Sequence, residues 1–345
     1  MKTRKAILYI LLIFILMSAF CIWKIFGPTI NNSGKKFLYI RTNSSYQQVK
    51  DSLVKNNFVH GDFWFDKISL YADYPKKIKP GKYKITEGMS LYHLLKMLRN
   101  GRQVPVNLVI TKLRTKEDLS KKIANNFEVD SLTAINFLNN NDSLKQFEVD
   151  TNTVMTDVIP DSYIYNWNTS MGNIFKKFYL RKQRFWNHER LELAAKLNFT
   201  PKEIYTIASL VEEETNKQDD KGKIASVYIN RLKKRMKLAA DPTVKFAMKN
   251  FELKRIYQKY LSFPSPYNTY LNKGLPPGPI CTPSIKTIDA VLNAPETNYL
   301  FFVARSDFSG FSDFASNYEQ HLANAKSYQQ ALDSVIKAKV PKIEN

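Results

Sequence analysis

The stretch Thr200–Asn216, TPKEIYTIASLVEEETN, decides the fold of the C-terminal half of the chain. It opens on a Thr-Pro pair, which offers a helix N-cap and a proline at the first helical position, and Glu203 completes this start signal. Apolar residues then recur at the spacing of one helix face: Ile204, Ile207, Ala208, Leu210 and Val211. The pattern predicts a helix over Lys202–Asn216 with this apolar stripe against a core.

Three consecutive glutamates close this helix, and helical periodicity gives each a different direction. At 100° per residue, Glu214 lies about 50° from the centre of the apolar stripe, Glu212 about 110° and Glu213 about 150°. We therefore expect Glu214 to extend the buried face, Glu212 to flank it and Glu213 to point to solvent.

Burial would make the carboxyl of Glu214 chemically useful. A carboxylate on an apolar face loses hydration, which raises its pKa and can keep it protonated near neutral pH. A general acid that acts on a glycosidic oxygen has this requirement. The alternative is structural, with Glu214 paired to a buried arginine such as Arg231 on the next helix.

The segments that follow predict an α+β domain over residues 200–345. Thr-Pro and Asp-Pro pairs repeat the signal for a helix start, and two short apolar runs indicate strands. The expected elements are helices over Asp220–Met236, from Asp241 on, from Thr282 to Asn293 and over Tyr318–Lys339, with a buried strand at Tyr299–Ala304 and a second strand at Phe311–Ala315.

A long irregular segment, Phe263–Pro283, interrupts these elements and is rich in Pro, Gly, Tyr and Asn. Long loops in compact domains are usually functional or disordered, and prolines stiffen this one. Tyr267, Asn268 and Tyr270 offer ring faces and an amide that suit a sugar polymer. A rigid structural Ω-loop is the alternative.

The N-terminal half predicts a smaller α+β module, residues 37–106, and a connecting helical region, residues 107–199. In the module, alternation indicates short strands, and Ser90 offers a helix N-cap. The expected elements are strands in Phe37–Arg41, Lys79–Ile85 and Val104–Ile110 and helices over Tyr46–Asn56 and Ser90–Leu98, then helices over Lys116–Asn126, Ser131–Asn139 and Ile174–Phe185 and a loop or strand at Val158–Tyr165.

Residues 6–26 predict a single transmembrane anchor, preceded by a cytoplasmic N-terminus, residues 1–5. Ala6–Trp23 is an uncharged run of 18 residues, long enough to span a hydrocarbon core about 30 Å thick. The basic residues before it favour an N-in orientation, with the remaining chain on the extracytoplasmic side. A cleaved signal peptide is the alternative, and it also exports the remaining chain.

Composition and charge exclude several classes of protein. The chain has 345 residues, 44% of them hydrophobic, which excludes a disordered chain. Its two cysteines exclude a disulfide framework and a Cys-based zinc site. Its four histidines lie far apart in the sequence, without the spacing of metal ligands. The net charge of +21 favours an anionic partner, and export argues against nucleic acid. We expect neither a metal nor a cofactor.

Several ordered motifs carry a resemblance to a known family. The chain resembles the endolytic murein transglycosylases of the MltG (YceG-like) family over nearly all of its exported part. The matching stretches are Pro80–Tyr83, Met89–Leu98, Pro160–Tyr163 (PDSY), Ala208–Thr215 (ASLVEEET), Ile224–Leu232 (IASVYINRL), Leu238–Val244 (LAADPTV), Ser265–Tyr270 (SPYNTY), Gly274–Pro283 (GLPPGPICTP), Leu292–Val303 (LNAPETNYLFFV) and Tyr318–Ala325 (YEQHLANA).

The resemblance implies a LysM-like α+β subdomain at residues 37–106 and a mixed α+β YceG-like catalytic domain at residues 200–345. It implies a lytic transglycosylase that cleaves β-1,4 bonds between N-acetylmuramic acid and N-acetylglucosamine in nascent peptidoglycan strands. The products would carry 1,6-anhydro ends, and cleavage would help to terminate strand elongation. The enzyme would lie in the bacterial inner membrane, with its catalytic domain on the periplasmic side and peptidoglycan synthases as partners.

The family's essential glutamate maps onto Glu214, the residue that helical phase selects independently. The resemblance also implies substrate-binding residues, namely Glu212, Arg231, Asp241, Tyr267, Asn268 and Tyr270. Ser312 stands where many members of the family have histidine, so the resemblance assigns no function to this position. The alternative from a different class is a non-catalytic peptidoglycan-binding scaffold for cell-wall synthases.

Overall fold

The computed structural model describes residues 2–31, 34, 36–253 and 255–339. These residues fold into two units. The first unit runs to Leu108 and takes in Ile123–Asp130 and Ile164–Ser170. The second unit comprises Val109–Lys122, Ser131–Tyr163 and the chain from Met171 onward.

The first unit combines helices with a two-stranded sheet. Its elements are α1 (Lys2–Phe26), β1 (Phe37–Ile40), α2 (Tyr46–Lys55), α3 (Phe63–Tyr71), β2 (Gly81–Lys84) and α4 (Leu91–Asn100). Strands β1 and β2 pair antiparallel, with Phe37 opposite Lys84. Ser90 caps α4, as expected, by accepting a hydrogen bond from the backbone N–H of His93. The structure adds α3, which the sequence pattern does not predict.

Helix α1 is long and apolar enough to cross a membrane. The candidate span, Arg4–Phe26, has 23 residues and a mean hydropathy of 2.7. Its large apolar side chains are mostly exposed, as expected of a helix whose apolar surface needs an apolar solvent. Within the described residues, α1 is the one helix long and apolar enough to span a membrane, as the sequence predicts.

The second unit is mostly helical and has a short antiparallel sheet near its end. Its helices are α5 (Lys116–Ala124), α6 (Ser131–Leu138), α7 (Asn141–Lys145), α8 (Met171–Phe185), α9 (His188–Lys196), α10 (Pro201–Glu214), α11 (Gln218–Lys233), α12 (Asp241–Ala247), α13 (Ile285–Leu292) and α14 (Tyr318–Lys339). Strands β5 (Phe301–Ala304) and β6 (Ser312–Ala315) pair antiparallel. Strands β3 (Val106–Val109) and β4 (Ser162–Tyr165) form another two-stranded sheet, and neither strand belongs wholly to this unit. The mixed α+β class is confirmed.

Helix α10 forms the centre of the core of the second unit. Its residues from Ile204 to Val211 are all buried, and α9, α11, α12 and α13 pack around it. Thr200 and Glu203 form a capping box, so the N-terminal signal is confirmed. The helix ends at Glu214, two residues earlier than expected, because Thr215 is extended (φ −147°). Glu214 is therefore the last helical residue.

Several expected boundaries are wrong, each for a local reason. Helix α13 is capped by Ser284 because Thr282 is committed to the backbone of Thr111 and Leu113. The Asp-Pro pair predicts Asp241 as an N-cap, but Asp241 is the first residue of α12 and Ala240 takes the N-cap position. Strand β5 is only half-buried instead of buried, since it belongs to a sheet of two strands. Helices α7 and α9 are also additions to the expected set.

Candidate active site

The surroundings of Glu214 raise the pKa of its carboxyl. The pKa of Glu214 is raised to about 7, mainly by burial and also by the negative charge of Asp241, while the hydrogen bond from Tyr228 opposes the rise. A position at the C-terminal end of α10 works in the same direction, because the helix dipole disfavours an anion there. Glu214 therefore exists in comparable protonated and ionised amounts near neutral pH, as a general acid and base requires.

Tyr228, on α11, is the direct partner of Glu214. Its hydroxyl donates a hydrogen bond of 2.7 Å to Oε1 of Glu214. The Tyr228 side chain is only 1% exposed, and burial raises the pKa of its hydroxyl well above the ordinary value, so the hydroxyl stays a donor. Sequence periodicity does not reveal this function, because Tyr228 lies on the apolar stripe of its helix, where a tyrosine resembles any core aromatic. Its polar hydroxyl, which needs a partner when buried, was the available signal.

Arg231 lies near Glu214 without pairing to it. The guanidinium donates to the backbone carbonyl oxygens of Leu300 (2.7 Å) and Leu238 (2.6 Å) and lies 5.3 Å from the ring centroid of Phe301. Among the described residues, Glu214 forms no ion pair, and the guanidinium of Arg231 donates to backbone carbonyls. The structural alternative, a direct pair between Glu214 and Arg231, is therefore wrong. The positive charge of Arg231 still opposes the rise in the pKa of Glu214.

Asp241 and Tyr270 form a second pair close to Glu214. The hydroxyl of Tyr270 donates to Oδ1 of Asp241 at 2.6 Å. The charges of Asp241 and Lys245, both on α12, act on the Glu214 carboxyl with opposite signs. Asp241, Arg231 and Tyr270, expected from the resemblance as cleft residues, are thus gathered around Glu214.

Asn268 organises the loop from inside it. The side chain is fully buried, and its amide donates to the carbonyl oxygens of Leu261 (2.9 Å) and Phe263 (2.8 Å). Its Oδ1 accepts from the backbone N–H of Tyr270 at 3.0 Å. These bonds are what a rigid structural loop requires, and they fix the backbone that carries Tyr270.

Tyr267, the neighbouring loop residue, is half-buried and packs against α12. Its ring centroid lies 4.8 Å from that of Phe246, and burial raises the pKa of Tyr267 to about 12. The ring of Tyr267 is thus held by packing against an aromatic ring. Tyr270, in contrast, is held by a hydrogen bond to Asp241.

Glu212 belongs to a separate polar network. Its Oε2 accepts from Lys221 (3.0 Å) and Ser284 (3.1 Å) and from the hydroxyl of Thr287. Burial raises the pKa of Glu212, but the hydrogen bonds from Thr287 and Lys221 outweigh it and hold the pKa below the usual value. Glu212 is therefore a carboxylate that joins α10 to α11 and α13, and it also lines a cavity of about 380 Å³.

Glu213 is not directed to solvent, which corrects the expectation from helical phase. Its carboxylate pairs with Lys112 (2.8 Å) and with Arg114 (3.1 Å), and its side chain is only 14% exposed. The segment before α5 covers this face of α10. Periodicity within one helix gives no information about such a cover.

Ser312, at the position where the resemblance places a histidine in many members of the family, is the first residue of β6. Its backbone N–H donates to the carboxylate of Asp220, at 2.7 Å, and Asp220 is 1% exposed. The interaction therefore comes from the backbone, and it ties β6 to the first turn of α11.

Comparisons with known proteins agree with this architecture. The chain matches the model of the YceG-like family over residues 38–327. It is 28% identical over 305 residues to the endolytic murein transglycosylase of Bacillus subtilis strain 168, covering 84% of this chain and 83% of that protein. It is 27% identical over 332 residues to the endolytic murein transglycosylase of Streptococcus pneumoniae serotype 2 strain D39, covering 87% of this chain but only 60% of that protein.

A solved structure shows the same fold. The crystal structure of a yceG-like protein from Listeria monocytogenes matches with a TM-score of 0.56 and 24% sequence identity, covering 84% of this chain and 99% of that chain. The family match extends across most of the chain and includes α10, Glu214 and the loop that carries Tyr270. The chain therefore belongs to the YceG-like family.

Proposed function

We propose that the protein is a membrane-anchored endolytic murein transglycosylase, a lyase that cleaves peptidoglycan glycan strands internally. The observation that carries the proposal is the half-buried Glu214, whose pKa is raised to about 7 by desolvation at the end of α10. The activity named for the Bacillus subtilis relative supports the same reaction. The bond cleaved would be the β-1,4 bond between N-acetylmuramic acid and N-acetylglucosamine in nascent strands.

In the first step, Glu214 acts as the general acid. Protonated Glu214 donates its proton to the glycosidic oxygen while the bond from that oxygen to the muramic acid C1 breaks. C1 develops oxocarbenium character, and Glu214 becomes a carboxylate. The hydrogen bond from Tyr228 opposes the rise in the pKa of Glu214, so it stabilises the carboxylate that this step produces.

In the second step, Glu214 acts as the general base. The C6 hydroxyl of the same muramic acid attacks C1 and loses its proton to the Glu214 carboxylate. A C1–O6 bond forms, Glu214 returns to its protonated state, and no water is consumed. An intramolecular nucleophile has a large effective molarity, so a second carboxylate, as used by ordinary glycosidases, is not required.

The other site residues would bind the strand and position Glu214. Arg231, Asp241 and Tyr270 are the ones gathered near Glu214 and would contact sugar or stem peptide. Glu212, Tyr267 and Asn268 are proposed as substrate-binding residues by resemblance. All three side chains contact other residues of the protein, which supports an indirect contribution through the walls of the cleft.

The rest of the chain would hold the enzyme at the membrane and near its substrate. We propose that α1 spans the inner membrane with its N-terminus in the cytoplasm, and that the LysM-like module over residues 37–106 contacts glycan. The catalytic domain would then act on the periplasmic side, beside the peptidoglycan synthases whose product it cuts. Such cleavage would help to terminate strand elongation.

The proposal is tested by cleavage of uncross-linked glycan strands with the full chain in detergent. Glu214→Gln keeps the shape of the side chain but removes the titrating proton, so we expect a loss of about 10³-fold in rate. Glu213→Gln is the matched control, since it removes the adjacent carboxylate on the same helix, and it should retain most of the activity. Full activity of Glu214→Gln would contradict the assignment. Strand binding without any cleavage by the wild type would instead favour the non-catalytic scaffold.

A further inference from the structure

Helix α3 turns an apolar stripe outward. Phe63, Leu70 and Tyr71, here called the α3 stripe, recur at helical spacing and are 59%, 58% and 96% exposed. The opposite face carries Phe65, which is 1% exposed and packs in the core of the first unit. Exposed apolar residues that occur singly need no explanation, whereas several large ones on one helix face mark a contact surface.

The α3 stripe begins beside the C-terminal part of α1. The ring centroid of Trp64 lies 6.1 Å from that of Phe20 on α1. Phe20 precedes Lys24, the first charged residue after the apolar run, by four residues, which corresponds to about 6 Å along the helix axis. The start of α3 is therefore level with the apolar part of α1. Interfacial helices bury their apolar faces at such depths, about 5 to 10 Å into the boundary between headgroups and acyl chains.

Helix α4 continues this surface on the other side of α1. Tyr92 is 41% exposed, and its ring centroid lies 5.2 Å from that of Phe26, the last residue of α1. Between α1, α3 and α4 there is a groove of about 610 Å³ whose lining includes Phe26, Ile68, Tyr71 and Tyr92. The apolar surface is thus continuous from α1 through the groove to the α3 stripe.

Basic side chains accompany the aromatic rings on all three helices. Each helix places a lysine over an aromatic ring four residues earlier: Lys24 over Phe20 (5.4 Å), Lys67 over Phe63 (5.7 Å) and Lys96 over Tyr92 (5.6 Å). Arg99 also lines the groove, and the acidic Asp73 there is paired with lysines. Aromatic rings with adjacent lysines are typical of a membrane interface, where the rings lie at the headgroup level and the amines reach the phosphates.

We infer that the α3 stripe and the groove beside α4 lie in the headgroup region of the bilayer that α1 spans, with Lys67 and Lys96 on anionic phospholipid phosphates. The inference rests on the anchoring by α1 proposed above. A lipid surface fits better than a protein partner because the surface is continuous with α1 and carries the charge that anionic headgroups attract. The first unit is then held against the membrane by its own face as well as by α1.

The test uses the full chain reconstituted into vesicles of phosphatidylcholine and phosphatidylglycerol. A Tyr71→Cys variant in a Cys21→Ser background carries an environment-sensitive fluorophore at residue 71, where the side chain is open to labelling. Cys281 is 1% exposed and takes no label. Gln47→Cys, at an exposed position of α2 in the same unit, is the matched control. Quenching by nitroxide groups attached near the lipid headgroups reports contact with lipid directly.

We expect the label at residue 71 to be quenched about threefold more strongly than the label at residue 47. Lys67→Glu together with Lys96→Glu should lower that quenching, and no change would contradict the assignment of these lysines to lipid phosphates. Equal, weak quenching at both positions in a chain that floats with the vesicles would overturn the inference while leaving the anchor intact. A label shielded from water but not quenched would mean that a second copy or another protein covers the stripe, which also overturns it. A chain that fails to float would remove the anchor and the inference together.

Discussion

Glu214 and Tyr228 are the two side chains on which the proposed chemistry depends most. Burial alone would hold Glu214 too firmly in its neutral form, and a strong ion pair would hold it too firmly as an anion. A neutral donor, the Tyr228 hydroxyl at 2.7 Å, stabilises the Glu214 carboxylate less than an ion pair would. This balance brings the pKa of Glu214 to about 7.

Tyr228→Phe should slow glycan cleavage and shift its pH dependence. Loss of the hydrogen bond removes stabilisation from the Glu214 carboxylate, so the pKa of Glu214 rises and the alkaline limb of kcat/KM moves to higher pH. The rate near neutral pH should fall about tenfold, which corresponds to about 1.4 kcal/mol. A pH profile of strand cleavage measures both effects.

Tyr205→Phe is the control for this substitution. It also removes a buried hydroxyl from the second unit, one that donates to the carbonyl oxygen of Val158 at 2.7 Å. We expect it to lower stability without moving the alkaline limb. An equal shift in both variants would contradict the specific pairing of Tyr228 with Glu214.

The raised pKa of Glu214 also predicts a pH dependence of stability. Below about pH 4.5 the group is protonated in both the folded and the unfolded chain. Between pH 4.5 and pH 7 the unfolded chain ionises first, so the stability present at low pH is lost as the pH rises through the folded pKa. Glu214→Gln has no such proton to lose, so it should gain about 2 to 3 kcal/mol over the wild type between pH 4 and pH 8. Urea unfolding of both chains at each pH measures the difference, and a constant difference would refute the shift.

At the scale of elements, the loop after α12 provides the support that brings Tyr270 to the site. Asn268→Ala removes two donors and one acceptor from a fully buried position, so the free energy of unfolding should fall by about 2 to 3 kcal/mol. Asn268→Asp keeps the oxygen that accepts from the backbone N–H of Tyr270 but loses the two amide donors. Comparison of the two variants therefore separates the contribution of the acceptor from that of the donors. Chemical denaturation gives the stability. A raised KM with unchanged stability would instead mean that Asn268 contacts sugar.

The elements that the sequence predicts are those with complete local signals. The start of α10 is fixed by Thr200, Pro201 and Glu203, and its buried face is fixed by the apolar stripe. Glu214 could therefore be predicted as the candidate acid from its helical phase alone. The burial of Glu213 could not be predicted, because the salt bridges that bury it come from a segment about 100 residues earlier in the chain. Helix α3 was missed for a related reason. It carries apolar residues on both faces, so its sequence lacks the one-sided periodicity of a helix against a core.

At the scale of the whole molecule, the chain combines an exposed apolar helix with a net charge of +21. The positive charges before α1 predict that the N-terminus stays in the cytoplasm. Protease added to spheroplasts should therefore degrade the chain beyond residue 37 and leave a short N-terminal fragment protected. A cytoplasmic marker protein serves as the control for membrane integrity. Survival of the intact chain would contradict the orientation.

The central claim, that Glu214 directs an intramolecular attack instead of hydrolysis, is tested most directly by the chemistry of the new strand ends. The full chain is given uncross-linked glycan strands in water enriched in ¹⁸O, and the products are weighed. We predict 1,6-anhydro-muramic acid ends that contain no ¹⁸O. Reducing ends that carry ¹⁸O would contradict the account.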